Sequence, residues 1–473
     1  MLEKNTMTIK RKITGIKLSA IFCALAASQM MPMAIAQTAD DTGSKAESGK
    51  MEKIIVTARR RDENLQNVPI AITAFGEQAM KDKGIEGAWD LYKSAPGLQV
   101  SSGNSRSTVD FAMRGQSVSF GTSISPVNVY FAGAPVSTGQ SASAFFDLEN
   151  VQVLAGPQGT LFGKNSTGGA VLFAPKKPSE YFEGYAKVGV GSDNYQHFEG
   201  AVNIPISESL ALRVAGNMVS HDGYTYDESF GIDLDDQNNK SFRANLLYKI
   251  NDNASNYTIF SYDEVDINGV ANIMRSVDSP DPAVQQAALD QQARGIRRVA
   301  LNMGPGFDAP YEKNKSFNIT NITELEFDNI TIKNIVSYQE SEADSIADAD
   351  GTPIALLGYR AAGHAAFGVD GFDENFPDGT KSISEEIQVL GTALDGNLDW
   401  IVGGFYSKSE SEGESHFYAE PFLPDGYGST ISDSNSHAFF AQGTYKVSEK
   451  LSVTAGYRYT WDESEVLTSS ILM

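Results

Sequence analysis

From residue 181 onward the chain repeats segments of roughly ten residues in which apolar and polar side chains alternate, with turn-forming residues between them. The clearest is Leu451–Trp461. Leu451, Val453, Ala455, Tyr457, Tyr459 and Trp461 fall on one face, and Ser452, Thr454, Gly456, Arg458 and Thr460 on the other. Ile330–Gln339 repeats the design, setting Ile330, Ile332, Val336 and Tyr338 against Thr331, Lys333, Ser337 and Gln339. Such a strand has to cover its apolar face. A soluble sandwich buries it against a second sheet, whereas a membrane barrel turns it to lipid and lines its interior with the polar face. Aromatic residues at the strand end favour the membrane.

The pattern predicts about eleven strands, near 181–191, 196–204, 210–221, 239–249, 254–266, 315–326, 330–341, 381–391, 398–409, 435–447 and 451–462. Short turns at 205–209, 328–329, 395–397 and 448–450 alternate with long loops at 267–314, 342–380 and 410–434. Short turns on one side and long loops on the other are the asymmetry of an outer-membrane barrel, although an odd strand count departs from the even numbers of bacterial barrels.

The start of the chain sets the compartment. Lys10, Arg11, Lys12 and Lys17 precede an apolar run, Leu18–Ala36, that ends in small residues. This reads as a secretory signal over 1–36, cleaved before Gln37; Ser28, Gln29 and Pro32 interrupt the run and argue against a membrane anchor. The single cysteine, Cys23, lies inside it. An exported chain without disulfides draws its stability from a large core or a closed barrel. The formal net charge is −23, and loss of the basic leader deepens it, which excludes nucleic acid as a partner.

Residues 37–50 are small and polar and read as a flexible tether. Ile54, Ile55, Val56, Thr57 and Ala58 follow as a β-prone stretch between charges. It reads equally well as an exposed strand able to add to another protein's sheet edge and as the first strand of the next domain. Between 63 and 178 comes a compact mixed pattern: a strand at 67–75, helices at 77–83 and 88–94, and short strands at 109–115, 127–133 and 151–156 that end in glycine. Gly163-Lys164 suggests a phosphate loop but fails on spacing, because Gln158 stands where the first glycine belongs and Asn165 where Ser or Thr does. The glycines at 156, 159, 163, 168 and 169 read as tight turns and close backbone approach.

These segments together resemble the TonB-dependent outer-membrane receptors of Gram-negative bacteria. Ile54–Ala58 matches the TonB box, and the ordered set from Glu63 to Pro178 matches the plug domain. The resemblance implies a membrane β-barrel, antiparallel, about half of a 22-stranded barrel being present, with an N-terminal α/β plug domain. It divides the chain into a signal (1–36), a tether with the TonB box (37–62), the plug (63–178) and a partial barrel truncated at the C-terminus (179–473). TonB, a small-molecule or chelated-metal ligand, and outer-membrane lipids are the implied partners, and no cofactor is expected. The family commonly has arginine where Ala155 stands and aspartate where Ala132 stands. Ser384–Val389 resembles a family barrel strand, and alternation there sends Ile387 and Val389 to lipid and Glu386 to the lumen. A lumenal carboxylate needs a partner, and Arg114 is the expected one, forming a plug–barrel lock with Glu386.

Enzymatic chemistry finds little support. The five histidines are widely separated, and no nucleophile motif such as G-x-S-x-G occurs. Asp344, Asp348 and Asp350 before Gly351 lack the remaining positions of a calcium loop and read as a solvated acidic loop. Residues 342–380 hold eight carboxylates against Arg360 alone, and 410–434 hold six with no Lys or Arg. That field disfavours polyanions and strongly anionic ferric chelates. Aromatics in the same loops, Tyr359, Phe372, Phe417 and Tyr427 foremost, are candidates for stacking on a ligand. The expected function is TonB-energised uptake of a scarce solute, such as a ferric siderophore, an oligosaccharide or an aromatic compound. The alternatives are a passive channel, a non-transporting surface binding protein or an inactive fragment, and then a soluble secreted binding protein.

Overall fold

The computed structural model describes residues 55–61, 63–101, 109–117, 125–137, 144–274, 281–302, 308–348, 351–353, 358–362, 379–419 and 423–472. The expected signal and most of the expected tether, Ile54 included, lie outside them.

The first part folds around a five-stranded mixed sheet in the order β3 (Ile72–Gly76), β8 (Leu148–Ala155), β9 (Gly169–Pro175), β6 (Val127–Phe131) and β7 (Ala134–Pro135). The central strand β9 is a nearly continuous apolar run because both its faces are covered. Helices Glu77–Lys83 and Ala88–Ser94 form where the sequence composition places them, and each has an acidic residue in its first turn and lysine in its last. The first ends on Gly84 in the left-handed region. A separate hairpin pairs β4 (Leu98–Ser101) with β5 (Asp110–Met113).

The second part is a 12-stranded antiparallel sheet. Its strands are β10 (Glu183–Val190), β11 (Gln196–Pro205), β12 (Leu210–His221), β15 (Gln237–Asn251), β16 (Ala254–Ile267), β18 (Tyr311–Glu326), β19 (Ile330–Asp348), β20 (Gly358–Ala362), β21 (Gly379–Ala393), β22 (Leu398–Ala419), β23 (Leu423–Ser448) and β24 (Leu451–Leu472). Eleven of them coincide with the predicted segments, and the short β20 is additional. Alternation sorts the faces as expected. Arg213, Asn245, Thr320, Ser337, Glu386 and Gln388 are buried toward the plug, while Phe242, Leu246, Ile319, Ile387 and Phe439 are exposed outside. An outward row of rings, Phe242, Phe260, Phe317 and Tyr338, crosses four strands with centroids 6.1, 5.2 and 6.3 Å apart. Rows of this kind suit a lipid-facing band.

The plug lies against the polar face. Tyr257, Ile259, Ile322 and Ile335 of the barrel belong to the same apolar cluster as Phe75, Leu91, Phe111 and Val151 of the plug. Gly403 shows how tightly this wall is built: a Cβ there would lie 2.3 Å from the Phe440 ring.

Parts of all three expected long loops carry regular structure among the described residues. The described residues of 410–434 continue strands β22 and β23. Twenty-two residues at about 3.4 Å each rise far beyond the 9–11 residues that cross a bilayer. The run Ser407–Glu414 is polar on both faces, so alternation is silent there and only cross-strand pairing reveals the strand. The 267–314 connection carries helix Pro282–Arg294, capped by the Asp281 side chain. It also carries β17 (Arg298–Val299), which joins β13 (Thr225–Asp227) and β14 (Ile232–Leu234) in a small sheet over Leu234, Val299 and Leu301. Asp348 corrects the expectation of a solvated acidic loop. It is buried and accepts the Gly351 and Asn302 amides at 2.7 and 3.2 Å, tying two connections together; Asp350 lies outside the described residues.

Lys176, at the plug's exit, holds Glu77 at 2.7 Å. Burial alone would raise the Glu77 carboxyl, but hydrogen bonds from Lys176 and Lys81 overcome it and lower the pKa from 4.5 to about 2. A lowered carboxyl stabilises the fold above its unfolded pKa, and that contribution is lost as pH falls toward 2. Glu77→Gln is therefore expected to lower the thermal midpoint at neutral pH, with a gap to the parent that closes between pH 4.5 and 2; a pH-independent gap in calorimetry would refute the linkage.

Candidate functional site

The coupling stretch is docked rather than free. Strand β1 (Ile55–Val56) pairs antiparallel with β2 (Glu63–Asn64), and Val56 and Ala58 are buried. Gln152, buried in β8, accepts the Thr57 amide at 2.9 Å and donates to Asn150 on the same strand at 2.8 Å. Of the two sequence readings, the structure takes the packed one, as a strand over Ile55–Val56 alone with Ala58 buried in the turn that follows. The reason is that Val56 and Ala58 have apolar surface to cover and the plug offers a cleft for it.

A turn closed by the Arg60 amide on the Thr57 carbonyl at 2.9 Å follows, with Arg60 at φ 62°. This left-handed residue directs three successive arginines onto different strands. Arg59 pairs with Glu63 and donates to Thr444 at 3.0 Å. Arg61 reaches Asp399 at 3.0 Å and the Trp400 carbonyl at 3.0 Å.

Arg60 makes the central contact. Its Nη2 lies 2.9 Å from the Glu386 carboxylate, and both side chains are 5% exposed. Its Nη1 donates to the Gly133 carbonyl at 2.9 Å. The guanidinium sits 5.0 and 4.6 Å from the Tyr130 and Phe162 ring centroids, and those two rings meet edge to face. Gln388 donates to the second Glu386 oxygen at 2.6 Å. Glu386 thus faces the lumen as alternation required, but its partner is Arg60 and not the expected Arg114. Arg114 is exposed, at φ 54°, and its side chain lies over Gly156, where a Cβ would approach it to 2.7 Å. The physical reason is competition for one buried carboxylate. Arg60 enters a ring-lined slot already desolvated by Tyr130 and Phe162, while Arg114 stays on an exposed turn.

A second anchor of opposite polarity holds the other side. Arg213 of β12 binds the plug's Asp147 through Nε at 2.8 Å and through Nη2, with both side chains 1% exposed. Arg243 of β15 donates to the Phe146 carbonyl at 2.8 Å and lies 4.1 Å from the Phe146 ring. The glycine-rich turn forms a third contact: Lys164 pairs with Asp462 at 2.7 Å, and Gly163 sits under the Arg458 guanidinium. Anchoring therefore does not depend on the positions of Ala155 and Ala132.

Sequence reasoning missed Arg59, Arg60, Arg61, Gln152, Asp147 and Arg213. Three of these left a signal, Arg59, Arg60 and Arg61, as consecutive arginines in a strongly acidic chain. Of the expected stacking aromatics, Phe372 lies outside the described residues. Tyr359 falls on β20, Phe417 on β22 and Tyr427 on β23, with their side chains outside the described residues. Among the described residues no group of three His, Cys, Asp or Glu side chains is arranged to hold a metal.

Removing one member of a buried pair costs about 3–5 kcal/mol because the other charge is left uncompensated. Glu386→Ala is expected to lose that much in urea unfolding, and Arg60→Met with Glu386→Leu to recover most of it. A single-variant loss no larger than that of the exposed Lys93–Asp90 pair would show that the contact is not an anchor.

The sequence model described as TonB-dependent Receptor Plug Domain matches residues 64–170. The model described as TonB dependent receptor-like, beta-barrel matches residues 274–470. The chain is 23% identical over 213 residues to the iron-regulated outer membrane virulence protein of Vibrio cholerae, covering 42% of this chain and 32% of that protein. To the ferripyoverdine receptor of Pseudomonas aeruginosa it is 30% identical over 161 residues, 34% of this chain and 19% of the other. The pesticin receptor of Yersinia pestis is 24% identical over 160 residues, 33% and 24% of the two chains. The chain thus spans a third or less of the curated relatives it matches. In fold it is similar to the crystal structure of the ferric yersiniabactin uptake receptor from Yersinia pestis, with a TM-score of 0.72 at 17% identity over 85% of this chain and 58% of that one. The ferripyoverdine-bound receptor of Pseudomonas aeruginosa gives 0.64 at 18% identity, covering 88% and 55%.

Proposed function

Because this chain belongs to the TonB-dependent receptor family, we propose that it is an outer-membrane receptor of a Gram-negative bacterium that takes up a ferric siderophore with energy supplied through TonB. The observation that carries the proposal is the docked strand β1, continuous with the Arg59–Arg61 clamp. A plug fastened to the wall by buried ion pairs does not open spontaneously. The segment most directly connected to those pairs is also the one that resembles the TonB box, so a pull on it is delivered straight to Arg60 and Glu386.

Names of the relatives support the solute class: pesticin, ferripyoverdine and ferrioxamine receptors are among them. The family is one of transport receptors, and transport rather than catalysis is the role proposed here. The carboxylates carried upward on β22 and β23, Glu410, Glu412, Glu414 and Asp433, select against strongly anionic chelates. A neutral or cationic ferric chelate is the proposed solute.

Deleting Ile54–Ala58 is expected to abolish energised uptake of radioiron-loaded siderophores by cells while leaving surface binding intact. Uptake at the parental rate would refute the energised mechanism.

A further inference from the structure

Between plug and barrel lies a cavity of about 180 Å³, closed on one side by Ile55, Thr57 and Arg60. Tyr257 and Gln388 face it from the barrel, and Phe162 and Phe173 from the plug. Three of these lining residues carry a buried polar atom without a hydrogen-bond partner among the described residues: Arg60 Nε, Tyr257 Oη and Gln388 Oε1. The residues themselves are 8%, 5% and 1% exposed. Unpaired buried polar atoms are rare in folded proteins. Three around one space indicate that it holds polar matter, and its volume suits on the order of six waters at about 30 Å³ each.

The charges around the cavity cancel. Glu149 and Glu324 line it together with Lys177 and Lys333, Lys333 pairs with Glu324 at 3.4 Å, and Arg60 is already neutralised by Glu386. No net field remains to hold an ion. What remains is two donors, one acceptor and the adjacent rings Phe162 and Phe173, a lining matched to neutral groups with hydroxyl or carbonyl oxygens.

We infer that this cavity is an inner binding station on the solute path for a neutral, hydroxyl- or carbonyl-bearing part of the solute, and that β1 is its door. The inference rests on the receptor reading above. The acidic outer hairpin screens charge first; the inner station then tests hydrogen-bonding pattern, and withdrawal of Ile55 and Thr57 removes one of its walls.

The test is differential labelling of the full chain in detergent. With Cys23→Ser removing the only cysteine, Ser255→Cys reports from the cavity lining, and Ser207→Cys at an exposed turn supplies the reference rate. Three methanethiosulfonates of similar size are compared: hydroxyethyl (neutral), trimethylammonium-ethyl (cationic) and sulfonatoethyl (anionic). After normalisation, the neutral reagent is expected to modify Ser255→Cys about tenfold faster than either charged one. Tyr257→Phe with Gln388→Leu should slow the hydroxyethyl reagent about tenfold relative to the neutral propyl methanethiosulfonate of similar size, since it removes the groups that hydrogen-bond the hydroxyl. Val56→Pro, which breaks the β1–β2 pairing, should raise all three rates about tenfold by opening the wall. If heat-modifiable gel mobility shows that Val56→Pro does not fold, Arg60→Gln, which frees the clamp and leaves β1 unchanged in sequence, decides the point. Equal normalised rates for the three reagents, or rates unmoved by the folded door variant, would overturn the inference. Labelling needs neither TonB nor a known solute. A chain that shows the preference yet takes up iron without Ile54–Ala58 would therefore refute the energised reading and leave the station standing.

Discussion

A buried charge pair inside a polar-lined sheet is the constraint on which the rest of this structure depends. Arg60 and Glu386 are both nearly sealed from water, and an ion so placed is tolerated only with a charged partner and its remaining hydrogen bonds satisfied. The Gly133 carbonyl, the Gln388 amide and the two flanking rings supply most of that environment. These groups come from the leading segment, two stretches of the plug and strand β21. The pair therefore forms only when the leading segment, the plug and the barrel strand β21 are all in place, which makes it a reporter of assembly as well as a contact.

Opposite polarity on the two sides gives the plug its position. Near the leading segment the plug side contributes cations and the barrel contributes Glu386 and Asp399. Across the lumen the plug contributes Asp147 and the barrel Arg213. A plug rotated within the barrel would bring Asp147 toward the barrel carboxylates and the arginines toward Arg213 and Arg243, so rotation is opposed electrostatically as well as by shape.

Much of this architecture was legible in the chain. Two-residue periodicity located the barrel strands and assigned Glu386 to the lumen, because side chains on a strand alternate whatever lies around them. It went silent at Ser407–Glu414, where both faces are polar and the strand exists through pairing with β23. The plug helices were legible from composition. The partner of Glu386 was not, since sequence establishes that a lumenal carboxylate needs a cation but not which of several arginines reaches it. Asp348 misled for a related reason: an acidic run reads as solvated until a neighbouring connection folds over it.

By itself the sequence determined the alternation of the wall, the mixed plug ahead of it and the strand-forming character of Ile55 and Val56. These are local properties, set by side-chain size, charge and spacing. Only the tertiary structure decided that Ile55–Ala58 is packed rather than free, that Arg60 and not Arg114 meets Glu386, and that three unpaired polar atoms border one cavity. Each of those outcomes depends on which distant segments exclude water together. Desolvation belongs to a place in the fold, and no single stretch of sequence contains it.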